Sequence, residues 1–298
     1  MAVTPVDIAA APAAPRPRDS AWTVVWRFAR KKPLGAAGGV LMLVMLVTAL
    51  LANVLQTHDP IATDATSTLA RPSEDHLLGT DHLGRDILVR IVYGARTSML
   101  VGVTAVALAV VAGALAGLFA AEWGGAVDEV LMRVADIQLS IPFILLAITV
   151  LALLGGSMRS MVLVLVLAGW VIYARVLRSE LLYLREVEFV QGARALGASR
   201  LRVVFRHLLP NTAGMIVVVA TLELANVIIL EAALSFLGVG IGPPEVSWGT
   251  MLADGRDYLT TEWWIATLPG VAIAVTILGV NLIGDWVRDV LDPRAARA

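Results

Sequence analysis

The stretch VQGARALGASRLRVVFRHLLPN, Val190 to Asn211, carries four arginines and no acidic residue, yet it lies between two apolar runs of bilayer-crossing length. A chain this hydrophobic has little physical reason to keep an Arg-rich segment outside lipid unless something on that side grips it. Phe189, Val190, Ala193, Leu196 and Gly197 fall on one stripe at helical spacing. Gly197 and Ala198 supply a turn, and Ser199 can cap a second helix, although Arg200 and Arg202 offer no acid for a capping box. The second helix places Leu201, Val204, Phe205 and Leu208 on one face and Arg202 and Arg206 on another, with Pro210 expected to close it before the next span. The pattern predicts two short amphipathic helices joined by a glycine turn, a compact knob attached to a membrane helix. Periodicity alone equally allows an amphipathic loop on an anionic leaflet, where each arginine contributes about 1 kcal/mol.

Working outward, the composition is that of an integral membrane protein: 58% of the 298 residues are hydrophobic, only 16% are charged, and the charges are bunched. Uncharged runs cover 33–57, 97–121, 137–158 and 263–284, each near or above the roughly 20 residues that a spanning helix needs. Two further spans, 160–174 and 211–238, are less clean, the second being interrupted by Glu223 and Glu231. The expected fold is therefore all-α with six crossings. We divide the chain into a tail with an interfacial helix (1–32), a first span (33–57), an outer loop (58–96), a five-helix core (97–286) containing the basic segment (187–210), and a second tail (287–298). Trp22 and Trp26 mark the interfacial helix, while Trp263 and Trp264, with Trp286 at the far end of the last span, are spaced like aromatic-belt anchors. With six spans, 17 of the 23 Lys and Arg residues fall on the side of the basic segment and six on the other (Arg71, Arg85, Arg90, Arg96, Arg159 and Arg256). The positive-inside rule then puts both termini and the knob in the cytoplasm.

Charges inside or beside the spans are candidates for function. An ionised carboxylate near a helix centre costs about 2.5–3.5 kcal/mol on insertion scales, so Glu223 and Glu231 should face a water-filled path or tie helices together. Asn226 can share a polar stripe with Glu223. In the outer loop, Gly79, Gly84 and Gly94 punctuate a turn-rich segment that Asp81, Arg85 and Asp86 can cross-link. After the fifth span, Gly238, Gly240, Gly242, Pro243 and Pro244 forbid further helix, and Trp248, Asp254, Arg256 and Asp257 follow on the outer face, as a docking surface or as a loop closing an outer gate. His58, His76 and His82 share the first loop with several aspartates, but their spacings match no compact ligand motif, and we expect no metal site. With no cysteine there is no disulfide or thiolate site. The only lysines, Lys31 and Lys32, cannot build a phosphate-binding loop, and no Ser/His/Asp order suggests a hydrolase. A transporter driven by an ion gradient, with Glu223 carrying a proton, is the opposing class.

The order of residues in the knob resembles the EAA motif of ABC importer permeases. Gln191, Gly192 and Ala193 stand at its opening triplet, Gly197 at its glycine, His207 at an often aliphatic position, and Leu209 with Pro210 at its end. Two positions depart from the pattern: Gln191 replaces the usual glutamate, and Gly192 replaces alanine. HLLGTDHLGRDILVRIVYGARTSMLVG (76–102) and ILEAALSFLGVGIGPPEVSWGTMLADGRDYL (229–259) are similar to segments of the second permease subunit in the peptide and nickel importer group. The resemblance implies a non-catalytic subunit with an ABC type I importer permease fold in a bacterial inner membrane. It implies that Gln191, Gly192, Ala193, Arg194, Gly197, Arg200, Arg202, Arg206, Leu209 and Pro210 couple the chain to a cytoplasmic ATPase. Its implied partners are a homologous second permease, two ABC ATPase subunits (separate or fused), an extracytoplasmic solute-binding protein, lipid and a peptide substrate, with nickel or glutathione as alternatives and no nucleic acid. The chain itself is expected to bind no cofactor, ATP and Mg being used by the ATPases.

Overall fold

The computed structural model describes residues 32–52 and 59–291, and among them it is helical with no strand beyond one isolated bridge, Thr80 to Asp86. The helices are α1 (Pro33–Leu50), α2 (Ile87–Trp123), α3 (Gly125–Ser140), α4 (Phe143–Leu154), α5 (Met158–Arg185), α6 (Glu188–Ala195), α7 (Arg200–Val203), α8 (Leu209–Leu234), α9 (Trp248–Gly255) and α10 (Trp264–Leu291). Five helical rods are long and apolar enough to cross a bilayer, and the bent pair α3–α4, taken as one span, makes six. Trp22, Trp26, His58 and both expected tails up to residue 31 and from 292 lie outside the described residues.

The central packing is α2 against α5. Ala109, Gly113 and Gly117 recur every four residues, so they form one small-residue seam along α2. A Cβ at Gly113 would stand 2.3 Å from the Trp170 carbonyl oxygen, one at Gly117 2.5 Å from that of Ala174, and one on Gly169 of α5 3.2 Å from the Ala109 methyl. Backbones this close leave no room for side chains. In lipid, where no hydrophobic force drives helix pairing, such close approach supplies the dispersion contacts that do. The peripheral α1 rests on α10 by the same means: Gly35 sits against Trp286, and Gly38 against Leu282. Most of its apolar side chains point outward, as suits a lipid-facing helix.

Several expected boundaries move. The outer loop ends not at 96 but at Asp86, whose side chain accepts from the Val89 N–H (3.0 Å) and caps α2 ten residues before the uncharged run begins. Gly94 is consequently inside α2, where Trp248 packs on it. Arg90 does not delay the helix, because protein carboxylates rather than lipid meet its guanidinium. The run 137–158 is not one straight span: α3 and α4 meet at 91° across Ile141 and Pro142, because proline disfavours helix in the residue before it. Gln138 ties that corner to α5, donating to the Leu167 carbonyl and accepting from Trp170 Nε1 at 2.7 Å. Trp264 is not a belt residue, being buried with its Nε1 donating to the Thr80 carbonyl (3.4 Å), whereas Trp263 is exposed.

Candidate coupling surface and buried polar groups

The knob forms from α6, a glycine turn and α7. Helix α6 ends in a Schellman motif: the Ala198 N–H donates to the Ala193 carbonyl (3.1 Å) and the Gly197 N–H to that of Arg194 (2.9 Å). Gly197 has φ +85°, a left-handed conformation that disfavours any residue with a Cβ, which is the physical reason for glycine at this place. Ser199 then caps α7 by accepting from the Arg202 N–H at 3.4 Å. The departure at Gln191 has a local explanation, since its amide donates to the Glu186 backbone and side-chain oxygens at 3.2 and 3.3 Å, a contact that a glutamate could not make as a donor.

Beyond α7 the structure corrects two expectations. Pro210 does not close the helix. Val204–Leu208 form a π-helical turn that leads into α8, with the Leu209 N–H bonded to the Val204 carbonyl. The wider turn accommodates a ring that would clash with the carbonyl four residues back, and Asn211 Nδ2 meets the His207 carbonyl at 2.5 Å. The knob is thereby continuous with a 40-residue rod from Arg200 to Val239. The buried face also differs from the predicted stripe. Val190, Val203, Val204 and Leu208 sit on Leu177, Leu181 and Leu184 of α5 and on Ala121 of α2. Leu201 and Phe205 stay 69% and 65% exposed, and Leu196 reaches 91%. Val204 and Leu208 of the expected stripe are buried, and within the π turn Phe205 departs from the 3.6-residue period. Arg194, Arg200, Arg202 and Arg206 are exposed around these apolar groups, with Gln191 and Gly192 on the same open segment.

The basic residues at the end of α5 have partners. Arg178 holds Asp128 of α3 through two hydrogen bonds, Arg175 reaches Asp136 at 2.5 Å, and Arg185 donates to the Ala121 carbonyl. The two arginine–aspartate pairs tie α3 to α5, and Arg185 ties the end of α5 to α2. The spacing of Asp128 and Asp136 on α3, eight residues apart, carried the only sequence hint of that docking.

On the opposite side, Glu231 is 1% exposed and accepts from Ser247 Oγ (2.8 Å), Ser235 Oγ (2.9 Å) and Ser98 Oγ (3.4 Å). Ser98 in turn accepts from the Trp248 N–H at 3.2 Å. One carboxyl thus joins α2, α8 and the start of α9, which Ser247 and Thr250 open as a reciprocal cap. Trp248 is wholly buried, with Nε1 donating to the Ile91 carbonyl at 2.9 Å, so it offers no docking surface and anchors α9 to α2. Asp254 accepts from Arg85 and Arg90, both at 2.9 Å, and both arginines also hold Asp81. Burial pushes the Asp81 carboxyl up. The Arg90 and Arg85 guanidiniums and the backbone N–H groups of Arg85 and Leu83 outweigh that, and leave it below the ordinary aspartate value. The network fastens the outer loop to α9. Of the outer group, Arg256 and Asp257 remain exposed, pairing with each other at 3.3 Å. His76 pairs with Asp86 and His82 stacks on Tyr258, a loop-packing role for each. Glu223 is half-buried and accepts from Asn226 Nδ2 at 3.2 Å.

Comparison with known proteins agrees with this architecture. The backbone superposes on the permease of an inward-facing MetNI methionine ABC transporter with a TM-score of 0.56 at 20% identity, covering 69% of this chain and 98% of that one. A peptide transport system permease protein of Brucella suis is 44% identical over 257 residues, 86% of either chain. The dipeptide transport system permease protein DppC of Alkalihalophilus pseudofirmus is 38% identical over 288 residues, 95% of either chain. The oligopeptide permease OppC of Bacillus subtilis is 37% identical over 265 residues, 89% of this chain and 87% of that one. Residues 20–72 match the N-terminal transmembrane domain of oligopeptide transport permease C. Because residues 109–297, which include the knob and its rod, match the family described as binding-protein-dependent transport system inner membrane component, the chain belongs to that family of multi-pass ABC importer permeases.

Proposed function

We propose that the chain is one of two homologous permease subunits of an importer for dipeptides or oligopeptides, non-catalytic itself and driven by two cytoplasmic ATPases that use ATP and Mg. The observation that carries this reading is the knob: apolar side chains left exposed, ringed by arginines, on a segment continuous with a rod long and apolar enough to cross a membrane. An apolar cluster with a cationic rim fits a groove on a protein partner, and the continuous rod converts movement of that partner into tilt of α8. Orientation follows the charge asymmetry, with knob and termini in the cytoplasm. Arg256 and Asp257 then lie outside, where a solute-binding protein would deliver cargo. Peptide is favoured as cargo because relatives of 37–44% identity carry peptide in their names.

The test is uptake of labelled dipeptide into vesicles holding the assembled transporter. Replacing Arg202 and Arg206 together by glutamate is expected to abolish ATP-driven uptake while the chain still inserts in the membrane. Normal uptake by that variant would overturn the docking assignment, and uptake of nickel but not peptide would overturn the cargo. An ATPase should co-purify with the wild-type chain in mild detergent; its absence would favour the gradient-driven alternative.

A further inference from the structure

We propose that the cavity walled by Asp59, Glu245, Arg96 and Tyr93 is a binding site for a short peptide with both termini free, the two carboxylates taking its ammonium group and the guanidinium its carboxylate. This rests on the importer reading and adds to it a place on this chain where the charged ends of the cargo are recognised.

The walls come from four separate segments. Tyr93, Arg96 and Leu100 recur on α2 at spacings of three and four residues, so they share one face near its start. Asp59 belongs to the outer loop, where its carboxylate accepts from the Ile61 N–H at 3.0 Å. Met158 begins α5. Glu245 precedes α9: the next residue, Val246, is buried, and Ser247 behind it donates to Glu231 at 2.8 Å, which fixes the backbone while the Glu245 side chain stays exposed. Together these segments enclose about 760 Å³, a volume within the roughly 300–1,000 Å³ of small-molecule sites. Hydrocarbon is a poor neighbour for Asp59, Arg96 and Glu245 together. The cavity therefore opens to water, and in the proposed topology it does so on the outer side.

Charges of both signs on one cavity suit a ligand that carries both. Asp59 and Glu245 offer acceptor oxygens for the three N–H groups of an ammonium, and the fork of Arg96 matches a carboxylate. The ion pairs on this side are those of His76 with Asp86, of Arg85 and Arg90 with Asp81 and Asp254, and of Arg256 with Asp257. Among the described residues no cation is paired with Asp59 or Glu245, so both carboxylates are left to a ligand. Leu100 and Met158 add apolar wall for side chains that differ from one peptide to the next. A divalent ion is served less well, because no three His, Asp or Glu side chains converge among the described residues.

Leu100 is 47% exposed and the chain has no cysteine of its own, so Leu100→Cys makes a single reporter at the cavity wall. The experiment follows its labelling by a maleimide in the assembled transporter in lipid nanodiscs, without ATP or binding protein. Millimolar alanine dipeptide is expected to slow labelling at least threefold, and the same dipeptide acetylated and amidated, hence neutral at both ends, to leave it unchanged. Adding Glu245→Gln or Arg96→Gln should remove the protection, with yield of complex and hydrolysis stimulated by the loaded binding protein unchanged. Equal protection by the blocked dipeptide, or protection by neither, would overturn the site. So would a cysteine that never reacts, since the cavity would then be closed to water. Loss of stimulated hydrolysis in Glu245→Gln with protection intact would overturn it as well, by assigning this wall to docking of the binding protein. Because protection is read without ATP, its outcome is separate from recruitment of an ATPase, whose failure would bring down the importer reading.

Discussion

Single residues in this protein take their roles from what meets their charge. Glu231 and Glu223 are eight residues apart on one helix, yet the first is enclosed by three serine hydroxyls and the second stands at the edge of an open face. Sequence marked both as costly in lipid and could go no further, because the serines come from segments 133, four and 16 residues away. Asp81 shows the same dependence on distant partners. Its carboxyl joins Arg85 and Arg90, and both arginines also hold Asp254, 164 residues beyond Arg90. Removing one member of a buried ion pair strands the others, so Asp81→Asn is expected to cost about 3 kcal/mol, read as a lower unfolding temperature in detergent. The depressed value of Asp81 fixes the sign of the pH effect. Its stabilisation is present above the unfolded value of about 4 and is lost as pH falls through the still lower folded value, so the gap between wild type and variant should close only in strong acid.

At the scale of elements, close backbone approach decides which helices pair. Gly113 lies where a Cβ would meet the Trp170 carbonyl oxygen at 2.3 Å, whereas Gly39 on α1 has nothing within 4 Å. Gly113→Ala is therefore expected to destabilise by about 1–3 kcal/mol through overpacking of α2 on α5, and Gly39→Ala to be neutral, in the same detergent unfolding assay. Equal effects at both positions would show that the seam carries no special weight. The seam was written in the sequence as Ala109, Gly113 and Gly117, but an uncharged run reads as a span whether or not it has one. The knob was more legible. Its turn at Gly197 and its cap at Ser199 are local devices, fixed by residues within five positions. Its seat was legible in part: Val190, Val204 and Leu208 of the expected stripes are buried, whereas Leu201 and Phe205 are exposed and Val203 turns inward instead. The bend at Pro142 escaped because hydropathy is blind to direction.

For the whole molecule, the arrangement of charge makes a prediction about sidedness. The chain contains no cysteine, so a single one can be placed at will. Cysteine in place of the exposed Leu196 should react with an impermeant maleimide only when the cytoplasmic face is open, and cysteine in place of Arg256 should react on intact cells; the reverse pattern would invert the proposed topology. The sequence by itself determined the membrane class, the five or six candidate spans, the bunching of charge and the knob, because these rest on composition, run length and contacts between near neighbours. Only the tertiary structure decided that Trp248 and Trp264 are core residues, that Asp254 belongs to an ion network, and that three serine hydroxyls enclose Glu231. Those facts depend on which helix lies beside which, and in a bilayer that is set by close packing and polar pairing between segments far apart in the chain, about which the hydrophobicity of each span is silent.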